Sequence, residues 1–188
     1  MAKSQKLPPL NKDTKILSFD IETNDLHGTA FAVGAVVVDI KGNVIDAFVG
    51  RTKIVCAVHE WVQQKVLPVI SDMPINYVSY EELREAFWRW YVSAEEKSDY
   101  VVVNNGYPIE YKFLLDCQSA DLETRYWQHP FPILDLSSLL IMLGENKNEF
   151  IKEFMHESNF KPHHPLHDAT VTALAAFKAF RQSGQIND

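Results

Sequence analysis

The run FAVGAVVVD, from Phe31 to Asp39, is the strongest single constraint on how this chain folds. Its apolarity is nearly continuous instead of alternating, and valine dominates it. Such a run suits a strand covered on both faces, inside a sheet and not at its rim. Lys41-Gly42-Asn43 supplies a turn directly after it, and Val44 to Val49 reads as the return strand of a hairpin. Lys15 to Ile21 (KILSFDI) is a first strand ahead of the run, while Asp99 to Val103 and Ile133 to Leu136 are two more.

Helical patterns separate the later strands. Ser79-Tyr80-Glu81-Glu82 is a capping box, with Leu83, Phe87, Trp90 and Tyr91 following at helical steps. Pro108 stands at a first turn, with Ile109, Phe113 and Cys117 spaced four apart behind it. Val171, Leu174 and Phe177 recur in an alanine-rich stretch near the end. A β-meander followed by alternating strands and helices predicts an α/β fold. Its expected sheet is mixed and five-stranded, three strands antiparallel and two parallel, with helices on its faces.

At 188 residues the chain is long enough for one ordinary core. Residues 1–14, polar and carrying Pro8-Pro9, read as a flexible tail, and 15–183 as a single domain. No apolar run reaches a membrane span and the amino end lacks a secretory signal, so the expectation is a cytoplasmic protein. Cys56 and Cys117 form no metal-binding or disulfide pattern and read as small buried apolar residues. With 18 basic and 25 acidic side chains the formal charge is −7, a poor balance for gripping a long polyanion through its phosphates. An acidic chain still acts on phosphodiesters if metal ions bring the positive charge, which directs attention to clustered carboxylates.

Asp20 and Glu22 are such a pair. At i and i+2 on a strand, both side chains leave the same face. Ile16, Leu17, Phe19 and Ile21 mark that strand as an inner one, where unpaired acids are costly and hard oxygen ligands suit Mg²⁺ or Mn²⁺. The second cluster is His163-His164-Pro165-Leu166-His167-Asp168, with Asp168 at the opening of the last helix and His163 on the approaching loop. An imidazole there titrates near neutrality and is able to take a proton from water.

In this order, SFDIETNDLHG with AFAVGAVVVD, then NNGYPIEYKFLLDC, then HHPLHDATVTALAAF resemble the three motifs of the DEDD superfamily of 3′–5′ exonucleases. The His-x4-Asp spacing resembles the histidine-type (DEDDh) branch, with His163 as its histidine; His164, four before Asp168, has the spacing of the tyrosine-type branch and is the second candidate. The resemblance runs from about Ile16 to Phe180. It implies an RNase H-like fold and two divalent cations, Mg²⁺ or Mn²⁺, held by Asp20, Glu22, Glu110 and Asp168. Glu110 stands where the family has an aspartate, three residues before Phe113-Leu114, and its extra methylene moves the carboxylate by roughly 1.5 Å. Thr23 and Asn24, with Asn105, match the family's contacts to the terminal nucleotide.

The function expected from this resemblance is two-metal hydrolysis at the 3′ end of single-stranded or short DNA or RNA, releasing nucleoside 5′-monophosphates, with a histidine as general base. A homodimer or a larger nucleic-acid-processing complex fits the same picture. The competing expectation is a catalytically weakened module that keeps the fold and binds nucleic acid or a protein partner, with Glu110 as its reason. Asp135 reads as a helix cap or a support to the site. Trp61, Trp88, Trp90, Tyr126 and Trp127 read as core rings in preference to base-stacking platforms.

Overall fold

The computed structural model describes residues 10–184 apart from 129, 131 and 158. Of the amino-terminal segment, residues 1–9 lie outside the described residues. Residues 11–14 form a turn in which the Thr14 N–H donates to the Asn11 carbonyl at 3.0 Å, and Leu10 packs against the core.

Strands β1 (Lys15–Thr23), β2 (Ala30–Asp39) and β3 (Val44–Arg51) form an antiparallel meander. The short helix α1 (Glu60–Lys65) and the long α2 (Tyr80–Glu95) lead to β4 (Tyr100–Val103). Then come α3 (Ile109–Ser119), α4 (Leu122–Arg125), β5 (Ile133–Asp135), α5 (Leu136–Leu143), α6 (Lys147–Glu157) and α7 (Pro165–Gln182). The sheet order is β3-β2-β1-β4-β5, with β4 parallel to β1 and β5 parallel to β4. The three-plus-two mixed sheet expected from the sequence is the one observed. Among the described residues no helix is long and apolar enough to cross a membrane.

β2 is buried at every position except Asp39, as its continuous apolarity requires. One face of the sheet packs Leu17, Phe19, Ile21, Val33 and Val101 against Phe87, Trp88 and Tyr91 of α2 and Phe113 of α3. Phe19 meets Phe87 and Tyr91 edge-on, at centroid distances of 5.7 and 6.1 Å. Burying each such side chain contributes about 1.5–3 kcal/mol. The other face packs Ile16, Val36, Val38 and Val102 against α5, α6 and the alanine-rich α7. Period-two alternation along β1 therefore sends Asp20 and Glu22 to the α7 side.

Several expectations needed correction. Among the aromatics, Trp88 packs in the core as expected, and Trp90 is half-buried against it beside Phe48 and Phe87. Trp61, Tyr126 and Trp127 are exposed instead of core, because the six-residue α1 and the four-residue α4 are short helices lying outside the two main layers. Cys117 is buried, but Cys56 is exposed on the loop before α1. Leu136 does not end a strand; Asp135 accepts from the Ser138 N–H at 2.9 Å, caps α5 and makes Leu136 its first residue.

Candidate active site

The carboxyl end of β1 carries the acid pair. Asp20 lies opposite Gly34 of β2, and a Cβ on Gly34 would fall on the backbone of Pro165 and Leu166. The missing side chain lets the start of α7 sit directly on the sheet. Asp168 lies in the first turn of that helix, so the close approach brings it over Asp20 and Glu22. Glu110 arrives from the other side, in the first turn of α3. The loop leading to it is held by Asp135, whose Oδ2 accepts from the Gly106 N–H at 2.9 Å, and by Ser137, whose Oγ donates to the Asn104 carbonyl at 2.7 Å.

The electrostatics match this convergence. The Asp20 carboxyl is pushed well above the usual range by burial, then by Asp168, Glu22 and Glu110. Glu22 is buried and raised to about 9, first by burial and then by Asp168 and Glu110. Glu110 rises to about 7 through burial, opposed by backbone hydrogen bonds from its own residue and Ile21 and assisted by the charge of Asp135. Burial lifts Asp168 to about 6, against a hydrogen bond from the His163 N–H to its Oδ2 at 2.7 Å. Four carboxylates from three distant segments thus crowd one another in a partly dry site.

His163 joins them. It takes a left-handed backbone conformation (φ 65°), uncommon for a residue with a side chain. One ring nitrogen of His163 and one carboxylate oxygen each of Glu22 and Asp168 all lie within 4.8 Å of one another. Burial, with Lys65 adding to it, lowers the His163 pKa. His164 goes elsewhere. Its buried ring stacks on His167 at 4.0 Å, and His167 stacks in turn on Phe160 at 4.7 Å. Of the two adjacent histidines, His163 is the one that lies beside the carboxylates.

The remaining expected residues divide. Thr23 lines a small, open cleft together with Leu26, Ile109 and Phe113. Asn24 is buried and its amide is fully engaged: Nδ2 donates to the Ala57 carbonyl at 2.8 Å and to Cys56 Sγ at 3.2 Å, and Oδ1 accepts from the His59 N–H at 2.9 Å. Asn105 is exposed on the loop before α3. Trp61 was missed as a neighbour of the site, since a six-residue helix leaves too short a pattern to place it. Its ring meets His163 edge-to-face at 5.0 Å.

The donor set is one of hard, mutually repulsive oxygens, buried at Glu22 and Glu110 and half-buried at Asp20 and Asp168, which is the chemistry that suits Mg²⁺ or Mn²⁺. Asp20, Glu22, Glu110 and Asp168 are the residues able to hold such ions, with His163 beside them.

A solved structure of exonuclease I shares this fold. That structure, described as suggesting how processivity is achieved, matches with a TM-score of 0.59 and 14% sequence identity over 90% of this chain. The chain spans 41% of the length of that exonuclease I chain. No protein-family model matches the chain, and no curated protein does. The likeness establishes the architecture, an α/β fold of the RNase H-like kind.

Proposed function

We propose that this protein is a DEDDh-type 3′–5′ exonuclease that removes nucleoside 5′-monophosphates from single-stranded or short nucleic acid. The observation that carries this reading is the convergence of Asp20, Glu22, Glu110 and Asp168 with the His163 imidazole beside them. The motif order in the sequence supports the 3′–5′ direction, and the fold shared with exonuclease I supports the nuclease class.

In this reading the four carboxylates hold two divalent ions. What bound Mg²⁺ or Mn²⁺ supplies is Lewis acidity and charge neutralisation at the scissile phosphate. His163, kept neutral by burial, accepts the proton of the attacking water as it adds to phosphorus. The P–O3′ bond breaks, the terminal nucleotide leaves as its 5′-monophosphate, and the shortened strand ends in a 3′-hydroxyl. The backbone at Thr23 and Asn24, and Asn105 across the site, contact the terminal nucleotide, with the cleft between Thr23, Leu26, Ile109 and Phe113 beside it. The formal charge of −7 favours substrates held through few phosphates.

The test uses 5′-labelled single-stranded DNA and RNA oligomers with Mn²⁺, Mg²⁺ or EDTA, beside Asp20→Asn. A metal-dependent ladder shortening from the 3′ end, absent in the variant, is the expected result. Cleavage of neither polymer would reject the reading and leave a non-catalytic binding module on the same fold.

A further inference from the structure

We propose that Trp61 is a positioning residue that seats the His163 imidazole over the carboxylate site, and that α1 is built to deliver it; this rests on the exonuclease reading above. His163 sits on a turn, not in a helix, and its left-handed backbone is tied down by one hydrogen bond, from its N–H to Asp168. That bond fixes the backbone and leaves the side-chain torsions open. The aromatic surface set against them is the Trp61 indole, edge-to-face with the imidazole at 5.0 Å and 84°, while oxygens of Glu22 and Asp168 lie within 4.8 Å of one ring nitrogen. An edge-to-face aromatic contact of this kind biases one rotamer over its competitors.

The placement of Trp61 traces back to the strand that bears the acid pair. Asn24, two residues after Glu22, grips the segment ahead of α1 through the Ala57 carbonyl and the His59 N–H. His59 is the N-cap of α1, its Nδ1 accepting from the Trp61 N–H at 3.3 Å. Val62 and Val66 anchor the inner side of this segment against Phe31 and Ala32 of β2. Trp61 itself is 47% exposed, more than a ring selected for core packing would be. Lys65, four residues on and so on the same face of α1, acts on the same imidazole. The end of β1 thus positions both the acids directly and the histidine indirectly, through a helix that the sequence pattern does not reveal.

The experiment compares wild type, Trp61→Leu and Trp61→Phe, with far-ultraviolet circular dichroism to verify folding. Leu keeps the apolar bulk and removes the ring, whereas Phe keeps a ring. In metal-free, histidine-labelled protein, three-bond couplings of His163, assigned through His163→Gln, should report a single χ1 rotamer in wild type, rotamer averaging in Trp61→Leu and the wild-type rotamer largely retained in Trp61→Phe. In the oligomer assay Trp61→Leu should lower kcat by about tenfold to a hundredfold with KM unchanged, and Phe should rescue most of the loss. Unaltered His163 couplings in Trp61→Leu would overturn the proposal, as would a loss confined to KM, which would make the indole a substrate contact. Should wild type cleave no oligomer, the exonuclease reading fails by itself, and the coupling comparison still decides whether Trp61 seats His163.

Discussion

Asp20 and Gly34 face each other across the β1–β2 ladder, and the space a side chain at Gly34 would fill belongs to the backbone of Pro165 and Leu166. An acid on one strand and an absent side chain on the next together define where α7 lands. Gly34→Ala should push the start of α7 off the sheet, at about 1–3 kcal/mol for overpacking a rigid backbone contact. Thermal unfolding should show the loss, and the rise in Tm on adding Mn²⁺ should shrink with it, because Asp168 retreats from Asp20. A Gly34→Ala protein with wild-type Tm and wild-type Mn²⁺ response would remove the close approach from the account.

The raised carboxyls give the metal-free protein an inverted pH response. Glu22 holds its proton up to about 9 when folded against a usual 4.5, and Asp168 up to about 6 against 3.8. The folded state therefore binds protons that the unfolded chain has already released. This contribution to stability is complete below the unfolded values and is lost as pH rises through the folded ones. Between pH about 5 and about 9 the Tm of the metal-free protein should fall, and Glu22→Gln should flatten that decline. Saturating Mg²⁺ should oppose it, since ions that bind only the folded state stabilise by mass action. Parallel Tm profiles for wild type and Glu22→Gln would contradict the assignment.

The two adjacent histidines should separate in kinetics. His163→Ala should reduce hydrolysis by about 10²–10⁴-fold while the Mn²⁺-induced rise in Tm persists. His164→Ala should act on Tm instead, because its ring is buried in the stack with His167 and Phe160. The reverse pattern, with rate lost at His164 and not at His163, would place the base at His164 and overturn this assignment.

Glu110 reaches the site from the first turn of α3 and is close enough to raise the pKa of both Asp20 and Glu22. Glu110→Asp withdraws the carboxylate by roughly 1.5 Å and keeps its charge. Initial rates should survive that change and be lost in Glu110→Gln. An inactive Asp variant would mean the site is built around the longer side chain.

The acid pair was legible because a strand has a period of two: once KILSFDI is a strand, Asp20 and Glu22 must share a face. The buried β2 was legible because a run of valines with no polar break has no stable place at a surface. Helix α1 was not, since the six residues Glu60–Lys65 are too short for a stripe to declare itself. Nor was the exposure of Tyr126 and Trp127, whose rings meet edge-to-face at 4.8 Å and pack outside the two main layers. The side-chain role of Asn24 was not legible either: its amide clamps a loop more than thirty residues away, a contact that no local pattern announces.

The resemblance of three motifs pointed to the segments of Glu110, His163 and Asp168, whereas the sequence's own patterning determined the succession of strands along the chain and the face on which Asp20 and Glu22 stand. These follow from local periodicity and turn chemistry, which act over a few residues. Only the tertiary structure decided that His163 and not His164 meets the acids, and that Trp61 lies against it. A histidine on a turn has no periodic face. Its direction is set by a left-handed backbone, by the Asp168 carboxylate, and by a helix seated against β2 from a hundred residues away.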